Sequence, residues 1–175
     1  LEPLTVFVGP NGAGKSSLLD ALRFVRDAMT GRLEEAISRR GGMSALRRWS
    51  PKGRPFDVTI ELHITGENWQ AEYGFVLGGE HRGEFRIKTE FCEMDYQGKK
   101  RFYRIVNGQG ETGRRHGDEA YWQTIRMSTE ELFLPHAASL GDPAFATLWG
   151  FLRNMGFYSF YPNTLRVMAP PTNPH

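Results

Sequence analysis

A glycine-rich loop between an apolar run and a helical pattern constrains this chain more than any other feature. Residues 4–8 form a short β-branched run, and helical spacing begins at Ser16. The helical pattern places five apolar residues on one side: Leu18, Leu19, Leu22, Val25 and Met29. Between the two segments, residues 9–16 read GPNGAGKS and fit the pattern G-x-x-x-x-G-K-[ST]. The sequence therefore predicts a buried strand, a phosphate-cradling loop and a helix in direct succession.

Each position of this loop has a predicted role. Lys15, the predicted catalytic residue, would reach the β and γ phosphates of a nucleotide, while the Ser16 hydroxyl would ligate Mg²⁺ and Ser17 would add a phosphate contact. The predicted cofactor-binding residues of the loop are Gly9, Pro10, Asn11, Gly12, Ala13, Gly14, Lys15, Ser16 and Ser17. A tight strand-to-helix turn with an exposed lysine is the alternative, and the flanking strand and helix patterns argue against it.

Length and composition fit an ordinary globular chain. The sequence has 175 residues, of which 39% are hydrophobic, so it can bury one core with an attached smaller lobe. No apolar stretch approaches the ~20 residues that cross a bilayer, and no signal peptide pattern opens the chain. Because Cys92 is the sole cysteine, no disulfide framework is expected. These features predict a cytoplasmic protein without a membrane partner.

Basic residues gather in three clusters, although the net charge is only +2. The first cluster comprises Arg39, Arg40, Arg47, Arg48, Lys52 and Arg54. The second comprises Lys99, Lys100, Arg101 and Arg104, and the third comprises Arg114, Arg115 and His116. Each cluster is typical of a solvated face, and each could instead contact a phosphate backbone, so DNA stays open as a partner.

Periodicity divides the chain into three segments of one domain. Residues 1–55 carry the loop, its helix and a helical connector, and residues 56–106 alternate with the period of strands. Four antiparallel strands are predicted, at 56–64, 69–77, 85–91 and 101–106. Residues 107–175 form the third segment. Its predicted elements are a loop at 107–117, a helix at 118–127, a capping box at 128–131 opening a brief helix, a helix at 144–155 capped by Asp142, and an aromatic strand at 157–161.

Motifs of other nucleotide enzymes are missing or misplaced. The Asp118-Glu119 pair follows no apolar strand, so we interpret it as a helix start rather than as a magnesium and water-activating pair. The stretch from Asp95 to Gly98 imitates the D-x-x-G of GTPases, but it falls in a hairpin turn and no N-K-x-D follows. Small-molecule kinases continue with parallel β-α units, which are not predicted here. The five histidines are too scattered to predict a metal cluster.

Several of these stretches resemble one family. GPNGAGKSSLLDAL, the linker LEEAISRRGG, the antiparallel lobe and FYSFYPNTLR together look like the N-terminal half of an ABC-type ATPase head of the SMC, RecF and OLD-like branch. Within that branch the resemblance is to the predicted ATPases called AAA-type 21, and it covers nearly the whole chain. It implies an α/β P-loop NTPase head with a RecF-like lobe and an antiparallel β-meander subdomain. It also places Asn163 where the γ-phosphate-sensing residue would lie.

The resemblance also implies a function. Such heads bind ATP, pair as a homodimer with ATP between them, and hydrolyse it in DNA maintenance, repair or antiphage defence. The Walker B strand, signature helix and switch histidine of the family are not found in these 175 residues, so the chain alone is expected to be catalytically inactive. The alternative is a nucleotide-dependent protein-interaction module that hydrolyses little.

Overall fold

Six strands and five helices make up the part of the chain described by the computed structural model, which comprises residues 7–46, 57–79, 84–117 and 119–158. The helices are α1 (Lys15–Thr30), α2 (Leu33–Ser38), α3 (Met43–Leu46), α4 (Phe133–Ser139) and α5 (Pro143–Arg153). The strands are β1 (Val58–Thr65), β2 (Trp69–Gly79), β3 (Phe85–Tyr96), β4 (Lys99–Val106), β5 (Gln109–His116) and β6 (Glu119–Arg126). None of the described helices combines the length and the apolar character needed to span a membrane.

The strands form one antiparallel sheet in sequence order, β1-β2-β3-β4-β5-β6. Short turns join neighbours, and the β3–β4 turn places Gln97 and Gly98 at φ 53° and 74°. Two consecutive residues with positive φ match the right-handed twist of the strands that they connect. The predicted antiparallel meander is therefore confirmed, and it continues for two strands beyond the four that were predicted.

The sheet has one buried face and one open face. Tyr73 and Phe75 of β2, Cys92 of β3 and Tyr103 of β4 are buried under α1, α4 and α5, and we call this side the helix face. Aromatic contacts join the layers, since Tyr103 lies with ring centroids 4.8 Å from Phe133. The opposite side, which we call the open face, carries the alternate residues of every strand and no helix of the described chain covers it.

Strands β5 and β6 replace the loop predicted at 107–117 and the helix predicted at 118–127. Asn107 and Gly108 have φ 48° and 77°, so they form a two-residue hairpin turn, and β5 pairs with β4 from Gln109 onward. Both predictions were wrong because the glycines and arginines of β5 resemble a loop when they are considered without their partner strand. Hydrogen bonds between β5 and β4 stabilise the strand conformation that the local sequence does not favour.

The capping box predicted at 128–131 does not begin a helix. The Ser128 hydroxyl accepts a hydrogen bond from the N–H of Glu130 within a turn, while α4 starts later, at Phe133. Helix α5 does begin as predicted, because the Asp142 carboxylate accepts from the N–H of Ala144 at 2.9 Å. Of the predicted aromatic strand, Phe157 and Tyr158 lie in no strand and residues 159–161 fall outside the described ranges.

A buried carboxylate joins the sheet to α4. Glu90 of β3 is only 1% exposed, and its oxygens accept hydrogen bonds from the hydroxyls of Tyr73 and Tyr103. They also accept from the backbone N–H groups of Phe133 and Leu134, which are orphan donors at the start of α4. We call this arrangement the Glu90 clamp. It caps α4 from a strand distant in sequence, which explains why no cap was found near the helix itself.

The Glu90 clamp predicts a pH dependence of stability. Burial raises the pKa of Glu90 from 4.5 to about 7, although its hydrogen bonds lower it in part. The folded state then binds more protons than the unfolded chain between these pH values, so the free energy of unfolding falls as the pH rises from about 4.5 to about 7. Urea titrations at pH 5 and pH 8 measure this, with Glu90→Gln as a non-titrating control. A wild-type chain with the same pH dependence as Glu90→Gln would contradict the prediction.

Candidate functional site

The glycine loop takes a backbone shape that depends on glycine. Gly12 and Gly14 lie at φ 85° and 86°, a region that side-chain-bearing residues rarely adopt, and the N–H of Ala13 donates to the carbonyl of Pro10 at 3.2 Å. A Cβ atom at Gly12 or Gly14 would meet nothing within 4 Å, so dihedral freedom rather than space requires glycine there. The loop thus turns the chain directly into α1 with its backbone exposed.

The N-terminus of α1 is left open as an anion site. Its N-cap is Gly14, which has no side chain to accept from the first-turn N–H groups, and the first turn contains no acidic residue. The helix has 16 residues, so its dipole contributes partial positive charge at the same point. Free donors and uncompensated positive charge are what a phosphate group requires.

Lys15 closes this loop with its side chain. Its Nζ donates to the carbonyl of Gly9 at 2.6 Å and to that of Pro10 at 2.8 Å. No carboxylate in the described part of the chain pairs with this ammonium group, so its charge is not neutralised. An ammonium group has a third N–H for a ligand, and here it is held over the mouth of the loop.

The predicted cofactor fits these residues. ATP would be held by the loop backbone, by the first-turn N–H groups of α1 and by Lys15, while Mg²⁺ takes most of its ligands from water and phosphate and needs few from protein. Ser16 and Ser17 are exposed in the first turn of α1, where a hydroxyl can supply such a ligand. The structure brings residues 9–17 together as one loop, whereas Asn163 lies outside the described residues.

An apolar patch adjoins the loop. Phe7 and Val8 precede it, and Val8 is 89% exposed, while Leu18 and Leu19 of α1 are also exposed. The strand predicted at 4–8 is not seen at Phe7 and Val8, which pair with no strand of the described sheet, and residues 4–6 fall outside the described ranges. Of the predicted apolar side of α1, only Val25 and Met29 are buried, and Phe24 and Ala28 are buried beside them.

Several candidate residues outside the glycine loop have structural roles. In the first basic cluster, Arg40 is largely buried and pairs with Asp27 at 3.0 Å, whereas Arg39 is exposed. The other members, Arg47, Arg48, Lys52 and Arg54, fall outside the described residues. Asp95 accepts from the N–H of Gly98 in the hairpin turn, as expected for a structural residue. Glu119 opens β6, and Asp118 is outside the described residues.

The histidines do not come together in the described chain. His63 lies on the open face beside Glu61 and Glu72, with its Nε2 3.4 Å from the carboxylate of Glu61. The ligand atoms of these three residues lie within 4.8 Å of one another. The positions of these residues along the sequence did not predict this grouping. Alternation on β1 and pairing with β2 explain it, since His63 stands opposite Glu72.

Comparison with known proteins decides the family. A family model described as "AAA domain, putative AbiEii toxin, Type IV TA system" matches residues 4–166. The chain belongs to this AAA domain family. Membership confirms the AAA-type 21 resemblance, and it makes this AAA domain a nucleotide-binding domain of the ATPase kind, in a family that generally binds ATP with Mg²⁺. No curated protein and no solved structure matches the AAA domain.

Proposed function

We propose that this chain binds ATP·Mg²⁺ through residues 9–17 and forms part of an ABC-type ATPase head. The observation that carries the proposal is the un-neutralised Lys15 ammonium group, held across a glycine loop that opens onto the uncapped end of α1. Membership in the AAA family supports ATP as the ligand. The order of the loop, with lysine and serine at the helix start, supports Lys15 on the phosphates and Ser16 on the metal.

The proposed role of ATP is to close two heads on one another. The apolar patch of Phe7, Val8, Leu18 and Leu19 supports this, because apolar surface grouped beside a ligand loop is typical of a surface that further protein covers. Closure of an ATP-filled pair is the proposed source of work in DNA maintenance, repair or antiphage defence. The toxin system named by the family description is compatible with a role in defence.

One observation favours the alternative of a nucleotide-dependent interaction module with little hydrolysis. In the described ranges, no carboxylate pairs with Lys15 and none lies in the first turn of α1, so the loop itself offers no acidic side chain as a candidate general base. The two functions share ATP binding and differ in turnover.

The concentration dependence of turnover separates these functions. We expect the intact cellular protein that carries this chain to hydrolyse ATP at a rate that rises more steeply than linearly with protein concentration, because each site is completed by a second head. The 175-residue chain should bind ATP with negligible turnover. A phosphate-release assay over a hundredfold range of concentration measures both, with Lys15→Ala as the blank. A rate strictly proportional to concentration would contradict head pairing and favour the interaction module.

A further inference from the structure

The open face is divided by charge. Its acidic residues stand mainly on β1 to β3, where Glu61, Glu72 and Glu93 occupy outward positions. Its basic residues stand mainly on β4 to β6, with Arg86 and Lys88 of β3 as exceptions at the far end of the sheet. We call the second half the basic-aromatic face and define it by six residues: Lys100, Phe102, Arg104, Arg115, Trp122 and Arg126. Strand register places them together, since Lys100 is opposite Arg115 and Gly113 lies between Phe102 and Trp122.

Two aromatic rings form the centre of this face. The ring centroids of Phe102 and Trp122 are 4.6 Å apart at an interplanar angle of 58°, and Trp122 remains 62% exposed. They meet across Gly113, where a Cβ atom would come within 2.5 Å of the Phe102 ring. Phe102 thus supports the indole from one side while leaving much of it to solvent. A supported, exposed indole offers a planar surface to a planar ligand.

The cations around these rings are available. In the described part of the chain, Arg104, Arg115 and Arg126 make no ion pair, and Lys100 makes only an exposed contact of 3.5 Å with Glu93. Glu111 is the acidic residue among them, and its register partner Arg104 is not within ion-pair distance of it. Uncompensated guanidinium groups beside an aromatic pair favour a ligand that has both anionic and planar parts.

We propose that the basic-aromatic face binds single-stranded nucleic acid, with a base stacked on Trp122 and phosphates held by Arg104 and Arg115. A duplex has its base faces stacked inside and offers phosphates and base edges but no free base face, whereas a single strand offers a free base for stacking. An acidic peptide would satisfy the cations and leave the indole without a planar partner. Binding of a single strand assigns to one surface Lys100 and Arg104 of the second cluster and Arg115 of the third, which β4 and β5 bring side by side. Arg101 and Arg114 lie on the opposite side, where Arg101 pairs with Asp142 and Arg114 lies over the ring of Tyr121.

Binding of labelled oligonucleotides to the whole chain tests this inference. We expect fluorescence anisotropy to show saturable binding of dT20 or rU20 at low salt, with the tighter of the two identifying the kind of strand. Added salt should weaken it sharply through counterion release. Trp122→Ala should lower the affinity about 10-fold, because a base loses the ring on which it stacks, and Trp122→Phe should restore most of it. Arg104→Glu with Arg115→Glu should flatten the salt dependence.

Two variants outside the basic-aromatic face serve as controls for the oligonucleotide binding. Arg39→Glu reverses the charge of an exposed arginine on the helical side and should leave the oligonucleotide affinity unchanged. Lys15→Ala should also leave it unchanged, since no loop residue contributes, so a failure of ATP binding and a failure of this inference are distinguishable. No binding at low salt, equal binding of a 20-base-pair duplex, or an unchanged affinity in Trp122→Ala would overturn the proposal. Circular dichroism verifies that each variant is folded.

Discussion

Lys15→Ala is expected to lower the affinity for ATP·Mg²⁺ about 100-fold while leaving the fold intact. The third N–H of the ammonium group would make a charge-assisted hydrogen bond to phosphate, and a loss near the upper end of the roughly 1.5–3 kcal/mol of such a bond gives this factor. The backbone cradle should persist because glycine dihedrals shape it, although the two hydrogen bonds from Lys15 to the carbonyls of Gly9 and Pro10 are lost. Calorimetric titration with ATP and Mg²⁺ measures the affinity, and thermal melting by circular dichroism measures the fold.

Arg39→Ala provides the matched control for charge. Arg39 is exposed on the turn after α2 and makes a contact of 3.7 Å with Glu35, so its loss removes the same charge from the chain without touching the loop. Its ATP affinity should match that of the wild type. Equal binding by the wild type and Lys15→Ala would show that the loop is a structural turn and that the assignment of ATP to it is wrong.

The largest effect on stability is expected from Glu90→Ala. This change removes the acceptor of two tyrosine hydroxyls and of the N–H groups of Phe133 and Leu134, all of which stay buried. Buried donors without an acceptor and the resulting cavity should together cost about 3–5 kcal/mol, or roughly 10 °C in melting temperature for a chain of this size.

Glu93→Ala is the comparison that isolates the clamp. Glu93 lies three residues further along the same strand, but it points to the open face and makes only an exposed contact with Lys100. Its loss should change the free energy of unfolding by less than about 0.5 kcal/mol. If urea denaturation gave the two variants similar midpoints, the buried carboxylate would not be what attaches α4 to the sheet.

Local patterns in the sequence were sufficient for the loop and for the elements that carry their own signals. The glycine loop leads directly into α1 as predicted, with the helix beginning at Lys15, one residue before the predicted Ser16. Asp142 caps α5 as predicted, and each feature depends on neighbouring residues only. The hairpin turn at Gln97 and Gly98 is likewise a short-range feature. The site roles of residues 9–17 and of Asn163 stay predictions.

The Glu90 clamp could not be predicted from alternation. In the register of β2 and β3, Val76 pairs with Thr89 and Leu77 pairs with Ile87, so Lys88 is an extra residue in β3. Ile87 points to the helix face, and in a regular strand the alternate residues after it would do the same, which would leave Glu90 on the open face. Because of the bulge, Glu90 points to the helix face instead. Only the long-range pairing that creates the bulge, together with the distant donors of α4, makes a buried glutamate favourable.

Strand β6, in contrast, could have been predicted from local sequence signals. Its residues Tyr121, Trp122, Thr124 and Ile125 have high strand propensity, but the preceding glycines and arginines obscured the hairpin to which they belong. The signal that could have found it was the Asn107-Gly108 pair, which is typical of a two-residue hairpin turn.

The burial of α1 has a consequence for synthesis of the chain on the ribosome. The indole of Trp149 in α5 donates to the carbonyl of Met29 at 2.9 Å, across a separation of 120 residues. At a translation rate of about 5–20 residues per second, roughly ten seconds therefore pass between the synthesis of α1 and that of α5. Throughout this interval the part of α1 that α5 covers is available to chaperones, and the helix behind the nucleotide loop acquires this support only after the whole sheet has emerged.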